Sequence, residues 1–164
     1  MITFQNKAQY LVLIVFGALS VFAYAPFNRG LCIVISILGL LWCLQHLSLK
    51  QSILSTLFYS LGFFASQVYW VIYALHTEIG IDIFTSTLGM LASVLYLSIY
   101  MLVFVFLFKR FSTRSNEFNY LILFPSSWVM GEWLRGWFIA GFPWGDVSYT
   151  QVNNFLLQGF FPLI

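Results

Sequence analysis

Long apolar runs with very few charges between them constrain this chain more than any other feature. Of its 164 residues, only seven Lys or Arg and five Asp or Glu carry a charge, which is 7% of the sequence. An average soluble domain carries roughly 25%, and so few charges cannot cover a water-exposed surface of this size. The pattern argues against a soluble enzyme, a disordered chain, collagen and a disulfide scaffold. It predicts an all-α fold, a polytopic bundle of membrane helices.

Five segments are long and apolar enough, or nearly so, to form spanning helices, which need about 20 residues each. A sixth apolar stretch begins near residue 155 and is cut short at residue 164. We expect the whole chain, residues 1–164, to form one transmembrane domain of about five helices plus this truncated sixth. The first two helices are short and share a tight turn at Pro26, so we expect a shallow or tilted hairpin there. The predicted spans lie near residues 10–25, 31–47, 53–75, 83–108 and 120–139.

The basic residues of the short loops predict that the N-terminus lies in the cytoplasm. In that orientation five of the seven Lys and Arg lie inside, and only Arg29 and Arg135 lie outside. Tyr and Trp residues collect toward the same outer face, as expected at a membrane interface. So many on one face indicate a platform for a molecule at the outer membrane boundary. The inner basic residues are Lys7, Lys50, Lys109, Arg110 and Arg114, and the outer aromatic residues are Tyr69, Trp70, Tyr73, Trp133, Trp137, Trp144 and Tyr149.

The segment from Glu132 to Trp144 is the densest in residues that can bind a ligand. Glu132 and Arg135 are three residues apart, so on a helix they share a face and can pair. An ionisable residue inside a membrane span is costly and is by default a functional hypothesis. One interpretation is a polar, aromatic-lined pocket for a lipid head group, and the other is a structural ion pair with tryptophans as interface anchors. The lipid-side or domain-docking candidates are Glu132, Trp133, Arg135, Trp137, Pro143, Trp144 and Tyr149.

Three further residues, His76, Gln67 and Trp70, are weaker candidates. His76 lies near two acidic residues and could take part in acid–base chemistry, although a solvated loop is the simpler interpretation. We expect Gln67, in the third span beside Trp70, to form a hydrogen bond across helices. Cys32 and Cys43 lie about 16 Å apart along a helix, too far for a disulfide. No motif implies a metal or another cofactor, and the scattered charges do not favour nucleic acid.

Several motifs make the chain resemble the N-terminal membrane region of bacterial apolipoprotein N-acyltransferases. The resemblance extends from about Phe16 over essentially the rest of the chain. One departure is Ala140, where the family usually has Thr. The matching motifs are Ala-Tyr-Ala-Pro-Phe at residues 23–27, Gly-Phe-Phe at 62–64 and Tyr-Trp-Val-Ile-Tyr at 69–73, followed by the more specific Pro-Ser-Ser-Trp at 125–128, Glu-Trp-Leu-Arg-Gly-Trp at 132–137, Gly-Phe-Pro-Trp at 141–144 and Ser-Tyr-Thr-Gln at 148–151.

The resemblance implies transfer of an acyl chain from a phospholipid to the N-terminal diacylglyceryl-cysteine of lipoproteins, in the bacterial inner membrane. The family's Glu-Lys-Cys chemistry resides in a nitrilase-like domain that follows the membrane helices. No residue of this sequence matches that triad, so we expect no catalytic residue here and no activity of these residues alone. One alternative is a non-catalytic membrane subunit or lipid-binding scaffold, which could dock a separately encoded nitrilase-like domain. A small transporter is disfavoured because the spans contain few ionisable residues.

Overall fold

The computed structural model describes residues 7–139 and 141–152, and these residues are helical with no β-strand. The predicted all-α fold is therefore confirmed. Short 3₁₀ turns occur at Ser20–Ala23 and Val147–Gln151, and single π-helical turns occur at Ala74–Glu78 and Asn119–Leu123. The α-helices are α1 (Lys7–Leu19), α2 (Leu31–Leu44), α3 (Leu49–Val68), α4 (Trp70–Tyr73), α5 (Ile83–Phe111), α6 (Asn116–Phe118) and α7 (Phe124–Trp137).

Of the helices within the described residues, α5 alone is long and apolar enough to cross a membrane unbroken. Its 29 residues extend about 43 Å at about 1.5 Å per residue, more than the roughly 30 Å of a hydrocarbon core. Helix α3 and the following segment Trp70–Glu78 pass the same test together, with a 46° bend at the break between them. By length and composition there are thus one or two spanning helices. The five-span arrangement stays a prediction, and the partial span from residue 155 lies outside the described residues.

The shorter apolar helices and their ends follow from local sequence. The segment Ala8–Ala23 and helix α2 are apolar but have fewer than 18 residues. Ser48 begins α3 with a capping box, in which its hydroxyl and the side chain of Gln51 each accept a backbone N–H of the other residue, an arrangement that satisfies two orphan donors. Asp82 begins α5 by accepting the Thr85 N–H at 3.0 Å. Hydrogen bonding by the Thr85 side chain and by its backbone N–H lowers the pKa of the Asp82 carboxyl.

Helix α3 lies at the centre of the bundle because α1 and α5 both pack on it. Helices α1 and α3 approach at two glycines. A Cβ atom on Gly17 would lie 2.1 Å from the Tyr59 carbonyl oxygen, and one on Gly62 would lie 2.1 Å from the Ile14 carbonyl oxygen. Small residues allow helix backbones to come this close. The spacing of Gly62 and Ser66 predicts a close helix approach, and Gly62 provides one.

Helices α5 and α7 meet through aromatic rings in the core. Phe104 contacts Phe124 and Trp128 edge-to-face, with ring centroids 5.2 and 5.1 Å apart. Phe63 of α3 also meets Trp128 edge-to-face, at 6.4 Å. These aromatic contacts hold α7 against both α3 and α5, and so fix the position of the polar residues on its last two turns.

Candidate functional site: a loop held on the last helix

Residues 141–152, here called the return loop, fold back onto the bundle after α7. The Phe138 N–H closes the helix on the Leu134 carbonyl at 2.7 Å. Ile139 and Gly141 then adopt positive φ values of 59° and 56°, a region that favours glycine. A Cβ atom on Gly141 would lie only 2.9 Å from the Gly136 carbonyl oxygen. The Gly-Phe-Pro-Trp motif therefore starts with the residue that this sharp reversal requires.

Arg135 joins α7 to the return loop from inside the bundle. Only 2% of the residue is exposed. Its Nη1 donates to the Trp144 carbonyl oxygen at 2.7 Å, and its Nη2 forms an ion pair with the Asp146 carboxylate. The guanidinium also lies over the Phe64 ring, 5.4 Å from the centroid. Charge-assisted hydrogen bonds of this kind are about twice as strong as neutral ones, so Arg135 holds the loop at two residues, through one backbone carbonyl and one side-chain carboxylate.

Glu132 binds the return loop at a second point. Its Oε1 accepts the backbone N–H of Val147 at 2.8 Å. Glu132 and Arg135 share a face of α7 as their spacing predicts, but each binds the loop, and the one ion pair among the described residues is between Arg135 and Asp146. Burial raises the pKa of the Asp146 carboxyl, and the nearby Arg135 guanidinium opposes that rise.

Residues of α3 and of the turn after α1 hold the loop from the other side. The Tyr24 hydroxyl donates to the Gly145 carbonyl oxygen at 2.7 Å. Gly145 has φ of 79°, and a Cβ atom there would lie 2.0 Å from Oε1 of Gln67. Gln67 also donates to the Ser20 hydroxyl at 3.4 Å. Gln67 is thus next to the loop and bonds across helices, whereas sequence reasoning singled out neither Tyr24 nor Asp146 as a site residue.

The aromatic candidates lie on the surface around the return loop. Trp133 and Trp137 stack with centroids 6.2 Å apart, and Trp137 is 77% exposed. Trp70 meets Trp144 at 5.7 Å, which ties the segment after α3 to the loop. Tyr149 is exposed on the loop. Pro143 also belongs to the loop, and a Cβ atom built on Gly136 would lie 4.0 Å from the Pro143 Cβ.

The hydrogen bond that His76 forms belongs to a different segment of the chain. Its Nδ1 is 2.8 Å from the Ile81 carbonyl oxygen, so it serves the connection that leads into α5. Within residues 7–139 and 141–152, no group of three or more His, Cys, Asp or Glu could hold a metal ion. The site that the structure assembles is therefore a set of charged and hydrogen-bonded contacts that position one loop and its aromatic residues.

Comparison with known proteins shows which family the chain is similar to. The family model described as apolipoprotein N-acyltransferase N-terminal domain matches residues 16–164. A curated apolipoprotein N-acyltransferase from Haemophilus influenzae is 34% identical over 158 residues, which cover 93% of this chain and 28% of the relative. Proteins of the same name from Wigglesworthia glossinidia brevipalpis and Pasteurella multocida are 34% and 32% identical, covering 91% and 88% of this chain but 30% and 27% of the relatives.

The chain thus spans less than a third of the length of the curated relatives it matches. The family match covers nearly all of the described helices and the whole return loop. The resemblance drawn from the motifs at residues 125–151 is therefore confirmed. The chain belongs to the family of apolipoprotein N-acyltransferase N-terminal domains.

Proposed function

We propose that this chain is the membrane portion of an apolipoprotein N-acyltransferase in a bacterial inner membrane, with five spans and a cytoplasmic N-terminus. The reaction would transfer an acyl chain from a phospholipid to the amino group of the N-terminal diacylglyceryl-cysteine of a lipoprotein. The family match over residues 16–164 supports the assignment. The apolar surface of the bundle suits a membrane, since large side chains such as Leu31, Phe84 and Leu121 are more than 70% exposed.

The observation that carries the proposal is the return loop held by the buried Arg135 and the half-buried Glu132. Irregular backbone in an apolar environment is tolerated only where other groups satisfy its hydrogen bonds. Here Arg135, Glu132 and Tyr24 satisfy the Trp144 carbonyl, the Val147 N–H and the Gly145 carbonyl. Arg135 is buried and Glu132 is half-buried, and charged groups removed from water are costly unless they are paired and hydrogen-bonded.

In this proposal the return loop and its aromatic neighbours form the lipid-side support of the acyl-transfer reaction. Trp133, Trp137, Trp144 and Tyr149 present exposed rings around the loop, and such rings favour the membrane–water interface. The acyl chains of a phospholipid could approach from the bilayer without leaving apolar surroundings. The nucleophilic chemistry is assigned to a nitrilase-like domain, and these residues give that domain a docking surface and give the lipid a path.

The test is restoration of lipoprotein N-acylation in cells depleted of their own N-acyltransferase. The natural gene that contains this sequence is expressed, and the N-terminal peptide of a model lipoprotein is weighed by mass spectrometry. The proposal predicts that the peptide gains the mass of one acyl chain, and that an antibody to residues 141–152 detects the product in the inner membrane. A correctly inserted product that leaves the peptide mass unchanged would favour a non-catalytic scaffold instead.

A further inference from the structure

A small cavity lies between α3, α5 and α7, beneath the return loop. It offers a volume of about 10 Å³ to the centre of a water molecule, which is room for about one water. Most of its wall is aromatic or aliphatic. The lining residues include Phe64, Phe104, Trp128, Glu132, Arg135 and Gly145.

Two buried N–H donors of residues that line this cavity have no hydrogen-bond partner among the described residues. They are Nε of Arg135 and Nε1 of Trp128. The two residues are 2% and 6% exposed, so bulk solvent cannot satisfy either donor. The Trp128 side chain interacts with the Glu132 carboxylate at hydrogen-bonding range, but no acceptor meets the indole N–H at a normal hydrogen-bond distance and angle. Buried donors in native proteins are nearly always satisfied by protein or by ordered water.

Charge decides which ligand fits between these donors. A small anion would meet the carboxylates of Glu132 and Asp146, which already offset the Arg135 charge. A cation would meet the guanidinium itself. An acyl chain or other apolar group would leave both N–H donors unsatisfied and would not fit a space for one water. A neutral molecule that accepts two hydrogen bonds and donates others meets every condition.

We propose that the cavity binds one ordered water molecule, which bridges Arg135, Trp128 and Glu132. The water oxygen accepts the Arg135 Nε–H and the Trp128 Nε1–H, and one water proton is donated to the Glu132 carboxylate. Residues 128, 132 and 135 are four and three apart, so they share one face of α7, as the bridge requires. The water joins the aromatic core to the two side chains that hold the return loop, and so positions them together.

Magnetisation transfer from water to the tryptophan side chains tests this site in the intact membrane protein, labelled with ¹⁵N in its indole groups and placed in lipid nanodiscs. We expect the Trp128 indole proton to exchange slowly and to show a direct nuclear Overhauser effect from a long-lived water. The exposed Trp137 indole should show rapid chemical exchange instead. Trp128→Phe identifies the signal by removing it and keeps the aromatic ring in the core.

A second variant distinguishes a bridging water from an indole proton that merely exchanges slowly. Arg135→Lys removes the Nε donor and retains the positive charge, so the water signal at Trp128 should be lost or reduced severalfold, whereas Arg110→Lys on the exposed end of α5 should leave it unchanged. If the lysine variant does not fold, the wild-type protein and Trp128→Phe still show whether a long-lived water lies at the Trp128 indole. A protected Trp128 indole with no transfer from water, or with transfer from lipid acyl protons, would overturn the proposal.

Discussion

The α1–α3 contact and the contact between α7 and the return loop both bring backbone segments together, but by opposite means. At the first, Gly17 and Gly62 remove side chains so that each helix lies against a carbonyl of the other. At the second, Arg135 and Glu132 extend long charged side chains to reach loop atoms 2.7–2.8 Å away. The first contact fails when an atom is added, and the second fails when a charge is removed.

The two contacts also differ in how specifically they fix their partner. Glycine permits any backbone to approach, and the α1–α3 contact depends on packing along the whole helix face. The guanidinium fork of Arg135 selects a carbonyl and a carboxylate at fixed angles. The α1–α3 contact therefore contributes mainly stability, whereas the loop contact determines one position of residues 144–147.

Removing the charge of Arg135 should have the largest effect on stability. Arg135→Met leaves the Asp146 carboxylate without its partner and the Trp144 carbonyl without a donor. Breaking a buried pair on one side costs about 3–5 kcal/mol, and we expect about 3 because the Asp146 side chain is 22% exposed. The free energy of unfolding in lipid–detergent micelles measures this loss of stability. Arg114→Met, in the exposed loop before α6, is the matched control and should change it by less than about 0.5 kcal/mol.

Adding one methyl group at the helix crossing should have the next largest effect. Gly62→Ala places a Cβ atom 2.1 Å from the Ile14 carbonyl oxygen, so the helices must separate. Overpacking of this kind costs about 1–3 kcal/mol. Gly136→Ala, whose Cβ would meet Pro143 at 4.0 Å, should be neutral or stabilising. Equal losses of unfolding free energy in both variants would contradict the proposed role of the α1–α3 contact.

The Tyr59 hydroxyl, a polar group at the α1–α3 contact, should contribute less to stability than Arg135 or Gly62. The Tyr59 hydroxyl lies 2.7 Å from the Ser36 hydroxyl, which also donates to the Phe16 carbonyl at 2.6 Å. Tyr59→Phe removes one buried hydrogen bond, which is worth about 1 kcal/mol. Ser36 keeps its acceptor, so no buried donor is left unpaired. The midpoint of thermal unfolding should fall slightly in this variant, by much less than in Gly62→Ala.

The smallest effect is a pH dependence confined to the loop contact. The pKa of Asp146 is raised by burial, so the folded protein holds that proton at a higher pH than the unfolded chain. Wild-type stability should therefore fall, relative to Asp146→Asn, as pH rises from the usual aspartate value near 3.9 through the raised value. The α1–α3 contact has no titratable group near it that would follow the same curve. Wild-type stability that rose with pH relative to Asp146→Asn would contradict the assignment.

Sequence reasoning predicted the helical fold and the small-residue packing at Gly62, and it proposed the segment from Glu132 to Trp144 as the candidate site, which stays a prediction. These predictions follow from composition and from the spacing of nearby residues. Both determine features within one helix or at the contact between two helices. The partners of the charges could not be predicted in the same way. Spacing allowed Glu132 and Arg135 to pair, but the reversal at Gly141 brings Asp146 and Val147 to them instead. Tyr24 reaches Gly145 across 121 residues, a contact that no local pattern indicates.

The predicted spans show the same division. Helix α5 occurs where the apolar run predicts it, because one uninterrupted run makes one helix. The predicted third span is broken at Tyr69 and the predicted fifth is interrupted by a π-helical turn at Asn119–Leu123. Hydropathy averages over a window and does not detect such local breaks.

The proposed function requires Arg135 to hold the return loop in one position. The most direct measurement is the rate of lipoprotein N-acylation by intact membranes that contain wild-type protein, Arg135→Met or Arg114→Met, at matched levels of folded protein and a permissive temperature. Protease cleavage within residues 141–152 is followed in the same samples. We expect Arg135→Met alone to lose acylation and to gain cleavage in the loop. Full acylation with a freely cleaved loop would contradict it.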